Sequence, residues 1–354
     1  MPDSASNPTP ASDRFDSLAY ALARYREVKP QLSFTAKDPE QARAWKRAAR
    51  VRLLELLGPM PGDPVPLEPE FGEPKPKAGY SRRTVTFATR QEMSAFGYLL
   101  VPDDRKHRPP GPAVLCVPGH GRGVDEIVGI ADDGTDRDHW DGYQHDFAVQ
   151  CVQQGYVTLA LEPLGFGHRR DQATCKKGQS ASSCQPAAGS ALMLGETMAG
   201  WRTWDSIRAL DLLAGRPEVD AARIAMMGIS GGGTITLYTA ALDERVKVAV
   251  LSGSFCTFRD SIYSLSHCID NYVPGILNWF EMADLAGLVA PRYLFCESGT
   301  DDTIFPEAGV KAALEHAGRI YDSLSAADRI DHAFFHAGHS FDGQAAFARL
   351  RDWL

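Results

Sequence analysis

Residues 228–232 read Gly-Ile-Ser-Gly-Gly, a serine among glycines where one apolar run ends and another begins. The segment before it, RIAMMGI, has the form of a strand, and GGTITLYTAAL after it has the form of a helix. A serine raised on a sharp strand-to-helix turn is a nucleophile elbow. Gly228 and Gly232, two positions either side of Ser230, would let strand and helix approach closely. The Gly231 N–H then lies at a helix amino terminus, where it can stabilise an oxyanion. The rival is a phosphate-binding glycine turn, but neither G-x-G-x-x-G nor G-K-[ST] fits these residues. The third glycine of the run, Gly233, has no role in this reading.

A serine hydroxyl is a poor nucleophile without a base, and the base needs a carboxylate to orient it. After an elbow the expected chain order is serine, carboxylate, histidine. Asp301 and Asp302 follow the apolar run PRYLFCESG, and spacing does not separate the two. His339 follows the run DHAFFHAG; His336, inside that run, is assigned to the strand. Glu297 lies within a strand and is a poorer orienter, and Asp260 is a minor alternative. The second oxyanion donor is expected in the turn VPGHGRG, as the backbone N–H of His120, with its ring incidental. Arg122 in the same turn is a candidate contact for a substrate acid or carbonyl, although solvated arginine is the commoner outcome.

These groups need a scaffold that brings distant loops to one edge. From about residue 80, short apolar runs alternate with helical patterns, beginning with a hairpin, RRTVTFAT and SAFGYLLVP. That alternation predicts an α/β fold: a mostly parallel central sheet with helices on both faces. Ligands bind beyond the carboxyl ends of such strands. Two stretches that leave those ends, 165–198 and 255–287, break the alternation and are expected to shape a pocket. Candidate lining residues are Trp201, Trp204, Tyr263, His267, Tyr272 and Trp279, each of which has packing as its commoner role.

Residues 14–57 are helical in pattern and 58–79 form a proline-rich connector, so 14–79 is a helical extension, preceded by a disordered tail at 1–13 and followed by a catalytic domain at 80–354. Of the 354 residues, 44% are hydrophobic and 23% charged, which is ordinary globular composition. A formal net charge of −8 argues against nucleic acid as a partner. No run approaches the ~20 apolar residues of a membrane span. The amino terminus lacks the basic-then-apolar form of a secretory signal, so a cytoplasmic protein is expected. The sequence sets no oligomeric state.

Seven cysteines leave at least one unpaired, and Cys116, Cys151, Cys256 and Cys296 are expected to be buried as small hydrophobes. Cys175 and Cys184 flank a polar loop, and a local disulfide or two free thiols both fit. Two cysteines do not make a zinc site, so no metal is expected. The acidic stretch from Asp125 to Asp146 lacks the spacing of a calcium loop and reads as a solvated surface, a candidate pocket rim.

With PGHGRG, GWRTWDSIRALDLL, GISGGG, HCIDNYVPG, ESGTDDTIFP and AGHSF in hand, the chain from about 80 to 354 resembles the α/β-hydrolase superfamily. It looks closest to the dienelactone-hydrolase-like and acetylxylan-esterase-like branch. The resemblance implies that Asp302, before the IFP element, is the orienting acid rather than Asp301, and that His339 is the base. Dienelactone hydrolases carry a cysteine nucleophile, whereas this chain has Ser230, which points to a serine esterase. Relatives commonly have histidine before the oxyanion-turn glycine; Pro118 stands here. A short-acyl ester as small-molecule substrate and no cofactor are implied. Rival readings are a peptidase or amidase of the prolyl-oligopeptidase type, which usually carries a large extra β domain, and a non-catalytic protein on the same fold.

Overall fold

A computed structural model describes residues 14–104, 110–137, 139 and 142–354; the expected tail at 1–13 lies outside the described residues. Among the described residues the strands are β1 Glu70–Phe71, β2 Lys75–Lys77, β3 Tyr80–Arg90, β4 Met93–Pro102, β5 Gly111–Val117, β6 Val157–Leu161, β7 Val219–Ile229, β8 Val246–Ser252, β9 Tyr293–Gly299 and β10 Ile330–Phe335. The helices are α1 Ser17–Glu27, α2 Pro39–Leu57, α3 Val124–Ile127, α4 Phe147–Gln153, α5 Gln172–Cys175, α6 Cys184–Met193, α7 Met198–Ala214, α8 Gly231–Leu242, α9 Met282–Gly287, α10 Glu307–Ser323 and α11 Gln344–Trp353.

The strands form one sheet in the order β1-β3-β4-β6-β5-β7-β8-β9-β10, with β2 also on β3. β3, β4 and β6 run antiparallel in succession; from β6 through β10 every neighbouring pair is parallel. The buried parallel strands carry apolar residues on both faces. In β5, Ala113, Leu115 and Val117 enter one core, which also holds residues of α2, α7, α8, α9 and α10. Val114 and Cys116 enter the opposite core, shared with α4 and α11. This is the two-faced cover that the continuous apolar runs require.

β5 connects to β6 on one side of it, the chain then crosses back to β7 on the other side, and β7 connects onward to β8, so the connections that leave β5 and β7 run in opposite directions. The carboxyl ends of β5 and β7 therefore flank the crevice that such a reversal creates. The turn at Gly119–His120 follows β5 and Ser230 follows β7. The strand boundary that bears on the site differs from expectation: β10 stops at Phe335, so His336 lies beyond the strand.

The amino-terminal helices and the segment between them brace the stretch 255–287, with Arg52 of α2 over the Trp279 ring. Tyr25 donates from its hydroxyl to Glu281 Oε1 at 2.9 Å, and the Phe34 N–H donates to Asp284 Oδ1 at 2.9 Å. Ala49, Leu53 and Leu57 of α2 belong to the main core. Pro39 at the first turn and the Asp38 side chain, which accepts from the Gln41 N–H, start α2.

Candidate active site

Ser230 stands between β7 and α8 with φ +54° and ψ −125°, left-handed backbone that a non-glycine residue rarely adopts. Its N–H is held by the Ser252 carbonyl of β8 at 2.9 Å. The glycines around it are demanded by contact. A Cβ on Gly228 would stand 2.3 Å from the Gly232 carbonyl oxygen, and one on Gly232 would stand 2.0 Å from the Val117 carbonyl oxygen. Gly233 acquires a reason here: its Cβ would stand 2.0 Å from the Ser254 hydroxyl, so α8 approaches the β8 exit too closely for any side chain.

His339 and Asp302 meet above this turn. His339 Nδ1 lies 2.7 Å from Asp302 Oδ2, and Asp302 Oδ1 accepts from the N–H groups of Ile304 at 2.8 Å and Phe305 at 3.1 Å. Burial alone would raise the Asp302 carboxyl; the bonds from His339, Phe305 and Ile304 outweigh it and hold the carboxyl below the usual range. The imidazole lies near-parallel to the rings of Tyr143, at 5.3 Å, and Phe305, at 5.8 Å. Its Nε2 is buried and without a hydrogen-bond partner, while the residue lines the same cavity as Ser230. Gly253 clears space for the pair, since a Cβ there would stand 3.2 Å from the His339 ring. Asp301 and His336, in contrast, meet each other at 3.4 Å with side chains 60% and 91% exposed. Glu297 is buried under the histidine loop, accepting from Ser252 Oγ and from the Asp342 and Gly343 N–H groups. Asp260 is bound to Thr257 and Arg259, away from His339.

The oxyanion turn is clamped by two residues that sequence reasoning passed over. The Gly119 N–H donates to the fully buried Gln144 at 2.8 Å, and the Tyr143 hydroxyl donates to the His120 carbonyl at 2.7 Å. Tyr143 also interacts through its hydroxyl with the Ser230 side chain, and burial pushes that phenol far up, so it stays neutral. Its own carbonyl accepts from the Phe341 N–H at 2.8 Å, which ties the turn to the loop of His339. These residues come from the stretch expected to be a solvated acidic surface; an aromatic and an amide among its aspartates were the available signal. The expectation for Asp125–Asp146 is corrected accordingly: Tyr143, Gln144 and Asp146 are buried or partly buried, although Asp133 is exposed.

The His120 ring is not incidental. Its Nε2 lies 3.1 Å from Asp270 Oδ2, in a buried group with Cys184, Cys268 and Arg202. Burial disfavours the charged ring, but the bonds to Asp270 and Cys184 prevail and raise it to about 9. Nδ1 and Cε1 of the same ring would be 3.1 Å from a Cβ on Gly231, so the imidazole flanks the elbow itself. Cys184 belongs to this group and is buried, whereas Cys175 is exposed, and both thiols are free.

A cavity of about 340 Å³ opens on Ser230, lined by His120, Tyr143, Leu265, Ser266, His267, Cys268, Ile304 and His339. Of the expected lining residues, His267 is among them. Arg122 is elsewhere: its Nε is 2.7 Å from Asp132 and it donates to the Ile130 carbonyl. Trp201 lines a separate cleft beside Met93 and Leu164, and its indole N–H bonds Glu196. Tyr263 and Tyr272 line a third, and the Tyr263 hydroxyl is occupied by the Ala21 carbonyl of α1 at 2.8 Å. Trp204 is buried against Thr89, and Trp279 packs under Arg52. Tyr263, Trp204 and Trp279 thus join distant segments, for which their large apolar area suits them.

Comparison with known proteins adds to this geometry. The family model of the Abhydrolase family matches residues 12–322. A protein of Bacillus subtilis (strain 168) named "Putative hydrolase YtaP" is 29% identical over 291 residues, covering 79% of this chain and 89% of that protein. A structure from Bacteroides fragilis NCTC 9343, described as a "putative acetyl xylan esterase", superposes with a TM-score of 0.80 at 18% identity, covering 96% of this chain and 95% of the other. A glucuronoyl esterase from Teredinibacter turnerae T7901 superposes with a TM-score of 0.66 at 17% identity, covering 94% and 90%.

Proposed function

This chain belongs to the Abhydrolase family, and from that premise we propose that it is a serine hydrolase cleaving carboxylic esters of short acyl groups. The observation that carries the reading is the 2.7 Å bond of His339 Nδ1 to Asp302, which leaves the opposite ring nitrogen without a hydrogen-bond partner in a residue that lines the same cavity as Ser230. Ser230 Oγ attacks the ester carbonyl while its proton passes to His339 Nε2. Asp302 keeps the second ring proton on Nδ1 and stabilises the imidazolium. The N–H groups of Gly231 and His120 receive the oxyanion; losing one such donor costs about 3 kcal/mol of barrier. Collapse expels the alcohol, which takes the proton back from His339, and water repeats the sequence on the acyl-enzyme. Leu265 and Ile304 give the small cavity its apolar part, which suits an acyl chain of few carbons. The catalytic unit is residues 80–354, and the helical extension serves it by bracing 255–287.

Two assays test this reading together: labelling by a fluorophosphonate and hydrolysis of p-nitrophenyl acetate. Both are expected in the native protein and absent in Ser230→Ala. Labelling and turnover that persist in Ser230→Ala refute it. The relatives described as acetyl xylan and glucuronoyl esterases make acetylated sugars and sugar-acid esters the first substrates to screen.

A further inference from the structure

Behind the oxyanion turn, four ligand-type side chains converge from distant segments. His120 comes from the turn after β5, Cys184 from the start of α6, and Cys268 and Asp270 from the irregular stretch after β8. One ligand atom of each lies within 4.8 Å of all the others. Asp270 Oδ2 is 3.1 Å from His120 Nε2 and 3.2 Å from Cys184 Sγ. Zinc bonds of about 2.0–2.3 Å in a tetrahedron set ligand-to-ligand edges of about 3.3–3.8 Å. These two edges need open by less than about half an ångström to admit the ion.

The surroundings match an anionic ligand set. Arg202 has a side chain only 2% exposed, donates to Cys184 Sγ at 3.3 Å and pairs with Asp270. It is itself fixed by two bonds to the Leu164 carbonyl, at 2.9 and 2.7 Å. Asn271 Nδ2 donates to the other Asp270 oxygen at 2.8 Å. Hydrogen bonds of this kind orient ligands around a metal. Two thiolates and a carboxylate carry three negative charges, and a divalent ion with the guanidinium balances them, which a buried site needs. Phe166 closes one side, against the His120 ring at 4.8 Å and under Arg202 at 4.4 Å.

We propose that His120, Cys184, Cys268 and Asp270 bind one zinc ion as a closed, structural site. The mixed nitrogen, sulfur and oxygen donors select zinc over calcium or magnesium. Binding releases to solvent the thiol protons and the proton on His120 Nε2, since each ligand atom must be deprotonated, and the four protein ligands leave no open position for a reacting water. The ion joins the turn that carries the His120 N–H to the segment that carries His267 and Cys268 at the cavity wall. This role in positioning the oxyanion donor rests on the ester-hydrolase reading; the metal site does not.

The test is metal content by mass spectrometry of full-length protein purified under reducing conditions without chelator, joined to cobalt(II) replacement. About one zinc per chain is expected in the native protein and in Ser230→Ala. Cobalt should produce intense tetrahedral visible bands with thiolate charge transfer in the near ultraviolet. In Cys268→Ser, whose side chain is at the cavity surface, zinc content should fall below about a tenth and the charge-transfer band should weaken. Native reduced protein that takes up neither zinc nor cobalt overturns the proposal. So does a Cys184–Cys268 disulfide found by peptide mapping of the native protein, or metal content unchanged in both Cys268→Ser and Cys184→Ser. Because Ser230→Ala tests only the ester reading, failure of one claim is distinguishable from failure of the other.

Discussion

Asp302→Asn is the sharpest perturbation of the proposed chemistry, because the surroundings dictate how the amide must lie. Asp302 Oδ1 accepts two backbone N–H groups, from Ile304 and Phe305. An asparagine keeps those bonds only by placing its carbonyl oxygen there. Its NH2 then occupies the Oδ2 position, 2.7 Å from His339 Nδ1. A donor now faces Nδ1, so the imidazole must present a lone pair to it and carry its proton on Nε2. That nitrogen is the one that has to receive the Ser230 proton. The fold is untouched, yet the base is in the wrong tautomer. Loss of the base in this way costs about 10⁴ in kcat, or about 5 kcal/mol of barrier. Asp301→Asn removes only an exposed partner of His336, and surface pairs of that kind contribute about 0–1 kcal/mol. Its kcat/KM should stay within about fivefold of native. The assay is p-nitrophenyl acetate hydrolysis, with the thermal midpoint of each variant as the folding control. A loss below about tenfold in a folded Asp302→Asn, or a larger loss in Asp301→Asn, refutes the tautomer argument.

Three further outcomes follow from named contacts. Tyr143→Phe removes the hydroxyl that donates to the His120 carbonyl at 2.7 Å but keeps the ring against His339; kcat should fall about 3- to 10-fold, the worth of one buried hydrogen bond, and an unchanged kcat would exclude the clamp. Gly233→Ala drives a methyl to 2.0 Å from Ser254 Oγ; denaturant unfolding should register a loss of about 1–3 kcal/mol, with part of it restored by adding Ser254→Gly. Burial raises Glu297 from 4.5 to about 7 despite the bonds from Ser252, Asp342 and Gly343, so the folded state holds its proton more tightly than the unfolded chain does. Stability from this group is therefore full below about pH 4.5 and is lost as pH rises through about 7, a change of roughly 3 kcal/mol. Unfolding free energies measured at pH 5 and pH 8 should differ by about that much less in Glu297→Gln than in the native protein, and an identical difference in the two would contradict the sign.

What could be read from the chain separates by the range of the interactions that specify it. The elbow is local: an apolar strand, a small-residue turn and a helix lie within fifteen residues, 224–238, and backbone strain at Ser230 needs nothing distant to be anticipated. Asp302 and His339 are far apart in sequence, yet each follows its own strand, and parallel neighbours β9 and β10 deliver both loops to the same edge. The sheet alternation alone is enough to bring them together. Gly233 was opaque because its partner, Ser254, belongs to the exit of another strand, and only the packing of α8 on β8 brings them into contact. Tyr143 and Gln144 were hidden by their neighbours: a run rich in aspartate reads as solvated, while what decides their burial is the backbone of the turn at Gly119–His120. The aromatics failed in the opposite sense. Tyr263 has the composition of a pocket wall, but its hydroxyl is taken by α1, a helix outside the part of the chain from which the pocket was inferred. The four residues around His120 show the limit most clearly. Cysteine arithmetic looks for spacing, and Cys175 with Cys184 offered it; the actual neighbour of Cys184 is Cys268, brought in by the stretch after β8 and held by a charge, Arg202, on α7. Spacing can reveal a ligand set when one loop or one helix supplies it, but not when three separate segments supply it and a buried cation on a fourth organises it.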